Sequence, residues 1–270
     1  MKNKTYNCKK IINKYIIDKL DKPLNYSLKN FGFKNLQGDG SGVKICIIDS
    51  GVPNNKFIKT KVKNSIDFTN TSIQDFHGHA TAVAGLMIAK VPGYMTGLIP
   101  NVNIIYAKAI KNSGEGDHGA VQASILYSII QSVDIIVMSF GCEHSHPSLQ
   151  DAISKAYNNN ICLIAAAGNY RSNTKDADFP ARLPQVLSVG LKDSKGKNIQ
   201  YSSTDYPAID LSIDNLYTTY LDDKFAKMGG SSIATPIAAS AVACVIQNQK
   251  NKKYILEVSN IYKQVMHSIT

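Results

Sequence analysis

The chain has 270 residues, 44% hydrophobic and 19% charged, the balance of a folded globular protein with one large core rather than a disordered or fibrous chain. Its formal charge of +10 comes from lysines that are scattered or gathered near the ends, Lys2 to Lys14 and Lys250 to Lys253; no basic recognition helix stands out, so nothing points to a nucleic-acid partner. Five cysteines, odd in number and mostly set in apolar runs, read as reduced core thiols in a cytoplasmic setting, and neither a signal segment nor a run approaching a membrane span is evident.

Residues 1–22 are polar and lysine-rich, with a few apolar positions at helical spacing, which predicts a short helical extension or arm ahead of a single domain over 23–270. After the turn Gly38-Asp39-Gly40-Ser41-Gly42, the run Val43 to Ile48 is compact and β-branched, as in a buried parallel strand, and Asp49 stands at its carboxyl end. An alternating pattern follows: helix at Thr81 to Ala89, strand at Asn103 to Ala109, helix at Ala120 to Gln131, strand at Ile135 to Ser139, helix at Leu149 to Asn158, strand at Ile161 to Ala166. The last strong helix covers Ile233 to Gln247, with a terminal helix from Tyr254 to His267. Strands alternating with helices imply right-handed βαβ units and a parallel sheet covered on both faces, whose sites lie beyond the carboxyl ends of the strands. Asp49, Ser139 and Asn169 all follow strands in that sense.

Four local sequences carry chemistry: Ile47-Ile48-Asp49-Ser50-Gly51, Gly78-His79-Ala80-Thr81-Ala82-Val83-Ala84-Gly85, Ile164-Ala165-Ala166-Ala167-Gly168-Asn169 and Gly230-Ser231-Ser232-Ile233-Ala234-Thr235-Pro236. A serine hydroxyl attacks a carbonyl only when a neighbouring base takes its proton, and that base needs a carboxylate to fix its tautomer. Asp49, His79 and Ser232 are the residue types for those roles. Together the segments resemble the subtilase family, whose motifs run in the same Asp, His, Ser order. His77 also precedes a glycine, but Val83-Ala84-Gly85 lies four residues after His79, as the family spacing requires, so His79 is the base candidate.

The resemblance implies a three-layer α/β/α sandwich with a mostly parallel central sheet. It also implies a serine endopeptidase acting on proteins or peptides through Asp49, His79 and Ser232, with Asn169 and the Ser232 N–H as oxyanion donors. By the same resemblance Ser139, Phe140 and Gly141, together with the segment from Ser113 and Gly114 to Gly116, border an extended substrate. Ala167 and Gly168 belong to the oxyanion strand. Asp178, just before Phe179-Pro180, falls near the pocket for the side chain preceding the cleaved bond (P1); it is either a solvated loop acid or, if it reaches the pocket floor, a carboxylate that would favour Lys or Arg. No metal ligands or cofactor are implied: Lys90 to Gly97 stands where many members hold calcium but lacks acidic residues, and His144 and His146 have no nearby third ligand. The sequence departs from the pattern at Ala80, where glycine is usual, and lacks an A-P-G segment around Asp210 to Asn215. Two other readings compete: an inactive member kept as a binding or regulatory module, and a metal-dependent hydrolase built on His77 and His79. Residues 1–22 resemble the short inhibitory extensions of intracellular members.

Overall fold

The computed structural model describes residues 6–7, 15–58, 64–168, 177–192 and 207–269. Seven strands make one sheet: β1 (Lys44–Asp49), β2 (Ile66–Asp67), β3 (Asn103–Lys108), β4 (Ile135–Met138), β5 (Cys162–Ala166), β6 (Val186–Lys192) and β7 (Ala208–Ser212). All neighbours run parallel, in the order β7-β6-β5-β4-β1-β3-β2. Five α-helices accompany it: α1 (His79–Ile88), α2 (His118–Ile130), α3 (Pro147–Asn158), α4 (Ser231–Asn251) and α5 (Val258–Ser268).

Period-2 alternation along buried strands divides the core in two. Ile45, Ile47, Ile135, Val137 and Ile164 point to one face and pack with α1, α4 and α5. Cys46, Ile48, Ile136, Met138 and Leu163 point to the other and pack with α2 and α3. The result is the three-layer α/β/α sandwich. After β3 the chain crosses from one side of β1 to the other, so the carboxyl ends of β1 and β4 diverge at the position where doubly wound sheets form their crevice. Asp49 ends β1, and Ser139 follows β4.

A smaller antiparallel sheet stands beside the main one. Strands β8 (Leu216–Thr219) and β9 (Phe225–Met228) form a hairpin, and Tyr15–Ile17 adds to the free edge of β9. The helical expectation for residues 1–22 therefore fails where the arm is described: Tyr6–Asn7 and Tyr15–Ile17 are both extended. Ile16 and Ile17 are β-branched, and an unpaired strand edge offers them hydrogen bonds that an isolated short helix would lack.

Helix α4 is 21 residues long and apolar enough to cross a bilayer, contrary to the expectation that no segment approaches that length, but most of it is buried inside the fold as the central core helix. Its small residues, Ala234, Ala238, Ala239, Ala241 and Ala243, suit close packing on the sheet.

Candidate active site

Asp49 is fixed by its place at the end of β1, where its backbone carbonyl accepts from Ala109 N and Ile110 N of the segment after β3. Its carboxylate accepts from Ser50 N at 2.7 Å, and His79 Nδ1 lies 2.8 Å from both of its oxygens. A carboxylate can only accept, so Nδ1 carries the proton and Nε2 is left as the basic nitrogen. Both side chains are almost fully buried. Burial alone would pull the His79 pKa down; the charge and hydrogen bond of Asp49, with the charge of Asp75 beyond it, outweigh burial and hold it above the usual value. Of the two neighbouring histidines, His79 is the one on Asp49, while the His77 ring lies edge-on to it at 6.2 Å between centroids.

The orientation of His79 depends on a residue that motif reading missed. Asp75, 2% exposed, accepts from Ser50 Oγ, His77 N, Gly78 N, Thr81 N and Thr81 Oγ1. It gathers the free N–H groups at the start of α1 much as an N-cap does, from one turn upstream. Ser50 Oγ in turn accepts from Ala80 N, so the end of β1 and the first turn of α1 are bound into one unit. The sequence signal was available: an Asp four residues before a helix-opening His, with a Thr two residues into the helix. Gly78 has φ +88°, and a Cβ there would lie 2.3 Å from the Tyr220 ring, so only glycine admits this entry into α1. Behind α1, Thr218 Oγ1 and Thr219 Oγ1 donate to the Ala82 and Thr81 carbonyls, a contact that the absent side chain of Gly85 permits.

Ser232 sits in the first turn of α4, which packs beside α1 on the same face of the sheet. Ser231 is fully buried, and its hydroxyl donates to the Gly168 carbonyl at 2.8 Å, whereas Ser232 is only partly buried. Gly230, with φ +98°, turns the chain into the helix. The intrahelical bonds begin with Ile233 N and Ala234 N on the Gly230 carbonyl, leaving the Ser232 N–H at the positive end of the helix. Pro236 lacks the N–H that would bond the Ser232 carbonyl four residues back, which loosens that turn.

The substrate-edge candidates fall into two groups. Ser113 and Gly114 form a turn closed by Gly114 N on the Lys111 carbonyl and by Lys111 N on the Glu115 carbonyl; the strand edge itself is Glu115–Gly116, and Tyr6–Asn7 pairs with it antiparallel, Tyr6 opposite Gly116 and Asn7 opposite Glu115. Ser139, Phe140 and Gly141 follow β4. The Phe140 side chain is buried in the α2/α3-side core, and the buried Ser139 hydroxyl has no partner among the described residues. Ala167 and Gly168 follow β5, and the Ala167 carbonyl accepts from Asp178 N at 2.9 Å. Asn169 lies outside the described residues.

Among the described residues no three His, Cys, Asp or Glu side chains gather as a metal site, and Lys90 to Gly97 is a two-stranded hairpin. Cys46, Cys162 and Cys244 are buried free thiols, and burial pushes those of Cys46 and Cys244 up to about 12.

A parallel sandwich with a buried Asp–His pair at its crevice and a serine opening the adjacent core helix defines a class of hydrolase. The profile of the Subtilase family matches residues 40–270, and the chain belongs to that family, the class of the subtilisin-like serine endopeptidases. It is similar to subtilisin DY of Bacillus licheniformis, 31% identical over 217 residues that cover 77% of each chain. It is also similar to thermitase of Thermoactinomyces vulgaris, 30% identical over 239 residues covering 83% of this chain and 84% of thermitase. The minor extracellular protease Epr of Bacillus subtilis is 34% identical over 211 residues, which span 77% of this chain but only 32% of Epr. Two relatives named as intracellular serine proteases, from Paenibacillus polymyxa and Bacillus subtilis, are 29% and 28% identical.

Proposed function

We propose that this protein hydrolyses peptide bonds with Ser232 as nucleophile, His79 as general base and Asp49 as the carboxylate that orients it. His79 Nε2 takes the Ser232 hydroxyl proton as Oγ attacks the substrate carbonyl, then returns it to the departing amine; water repeats the cycle on the acyl-enzyme. The oxyanion is met by the Ser232 N–H and the Asn169 side chain, each donor contributing about 10²- to 10³-fold in turnover. The observation that carries this reading is the buried His79 Nδ1–Asp49 pair at 2.8 Å, with the serine opening the helix packed alongside. The inactive-module reading is less favoured, because the residue types for every role are retained, and the metal reading finds no third ligand among the described residues. The buried free thiols of Cys46, Cys162 and Cys244 fit a reducing, cytoplasmic setting.

The test is labelling and hydrolysis. A serine-directed phosphonate should modify Ser232 and abolish peptide cleavage, chelators should not, and Ser232→Ala should lose about 10⁶-fold in turnover. An active Ser232→Ala variant would overturn the mechanism.

A second reading concerns the arm. Tyr6–Asn7 adds a strand to Glu115–Gly116, the edge beside the proposed substrate segment Ser113–Gly114, and an extended peptide recognised by main-chain hydrogen bonds would add to an edge in the same manner. We propose that residues 1–22 restrain the enzyme by occupying that edge.

A further inference from the structure

We infer that Lys108 is a positioning residue, whose buried ammonium joins the proposed substrate edge to the segment that orients His79. The inference rests on the serine-peptidase reading above, with its substrate edge from Ser113 to Gly116.

Ile104 and Tyr106 of β3 belong to the core on the α1 side, and alternation puts Lys108 on the same face. Its register sets it opposite Asp49 of β1 on one side and Asp67 of β2 on the other. Lys108 is 0% exposed. Its Nζ donates to the Gln74 carbonyl at 2.8 Å and to Asn112 Oδ1 at 2.7 Å. Burial lowers its pKa, and the charges of Asp67 and Asp75 oppose that pull. Withdrawing an ammonium from water is costly, and bulk alone at the end of β3 would be supplied by Met or Leu. What the ammonium adds is two charge-assisted hydrogen bonds, and both of its acceptors lie in connecting segments outside the seven-stranded sheet.

Those two segments serve different halves of the site. Gln74 precedes Asp75, and its peptide is pressed against Gly51, where a Cβ would lie 2.6 Å from the Ile73 carbonyl oxygen and 2.8 Å from that of Gln74. Val52 N donates to the Ile73 carbonyl and Asp75 N to the Val52 carbonyl. Lys108 grips the same stretch from the β3 side, so Asp75 is set in place along its backbone as well as by the donors of α1. Asn112 begins the turn that Gly114 N closes on the Lys111 carbonyl and Lys111 N closes on the Glu115 carbonyl, with Ile110 bridged to Gly116. Asn112 is itself exposed, yet its side-chain oxygen holds a buried charge. A peptide lying along Glu115–Gly116 therefore meets a loop whose base is fastened, through one ammonium, to the Asp75 segment. Small displacements of either segment are costly in a site that depends on near-attack geometry.

The test compares two peptide substrates with the same residue before the cleaved bond, one bearing that residue alone and one bearing four residues there. The parameters kcat and KM are measured for wild type, Lys108→Met, Asn112→Ala and the double variant, after counting active sites with the phosphonate. Wild type should favour the longer peptide in kcat/KM by at least tenfold. Each single variant should shrink that length advantage at least fivefold, chiefly through KM of the longer peptide, and the double variant should lose no more than Lys108→Met alone, because both changes cut one link. Lys108→Met should also lower kcat on the short peptide at least threefold, through Gln74 and Asp75, whereas Asn112→Ala should not. A residue that merely supported the fold would reduce the count of active sites and leave the length advantage where it was. A length advantage unmoved by Asn112→Ala overturns the inference, and so does a double-variant loss equal to the product of the single losses. A short-peptide kcat unmoved by Lys108→Met does the same. Asn112→Ala alters an exposed side chain, so it decides the matter even where Lys108→Met does not fold. All of these outcomes leave the peptidase reading intact; failure of the phosphonate to label and of both peptides to be cleaved by wild type would reject that reading together with this one.

Discussion

Asp75 and Asp178 are both withdrawn carboxylates, and they differ in one respect that decides their roles. Asp75 accepts from five donors and binds the end of β1 to the first turn of α1. Asp178 accepts from none among the described residues, and its burial raises its pKa to about 6. A satisfied carboxylate holds the end of β1 against the first turn of α1, whereas the other finds no hydrogen-bond donor among the described residues. Burial therefore says little about function until the hydrogen bonds are counted.

That contrast can be broken at several points. The largest effect belongs to the pair that Asp75 supports. Asp49→Asn should keep the geometry but favour the wrong imidazole tautomer, lowering turnover by about 10⁴-fold. The same pair raises the His79 pKa, so wild-type kcat/KM should fall as pH drops through a value above the ordinary ~6.5 of histidine, since only the neutral ring accepts a proton. An acidic limb at or below that value would contradict the proposed environment of His79.

Next comes Asp75 itself. Asp75→Ala strands three backbone N–H groups and two hydroxyls. At about 1–3 kcal/mol for each buried group left unpaired, a loss of at least ~3 kcal/mol is expected, with some relaxation allowed for. Urea unfolding in a Ser232→Ala background, which prevents self-digestion, measures it; a change below about 1 kcal/mol would show that Asp75 is not the clamp described. By contrast, Asp178→Asn, which removes no hydrogen bond to a described residue, should change stability by less than about 1 kcal/mol in the same measurement. The smallest effect is expected at the arm: removing residues 1–10 spares Tyr15–Ile17 and should lower KM several-fold with kcat nearly unchanged. An unaltered KM would remove the arm from the substrate edge.

Much of this arrangement was legible in the sequence, and the exceptions have physical causes. The β-branched run ending at Asp49 and the apolar helix opened by Ser232 follow from periodicity, because both are buried on the faces that their patterns dictate. Strand β6 was not legible, since Ser188 and Gly190 interrupt its apolar run; both are accepted because parallel pairing on both sides supplies the order that composition does not. Asp75 escaped notice because three of its five donors are backbone N–H groups, and only the Thr81 spacing marks it in the sequence. The strand at Tyr15–Ile17 depended on an open edge of β9, formed some two hundred residues later, and local spacing could only suggest a helix.

That last strand has a consequence for control. Pairing of Tyr15–Ile17 with β9 fastens the arm to the strand that leads into Gly230 and Ser232, so the tip at Tyr6–Asn7 reaches the Glu115–Gly116 edge as part of the same molecule. A short tether gives an effective concentration on the order of millimolar, independent of how much enzyme is present. Under the proposed restraint, a contact of only a few main-chain hydrogen bonds, negligible between separate molecules, would become a threshold that each arriving substrate must exceed by its own affinity.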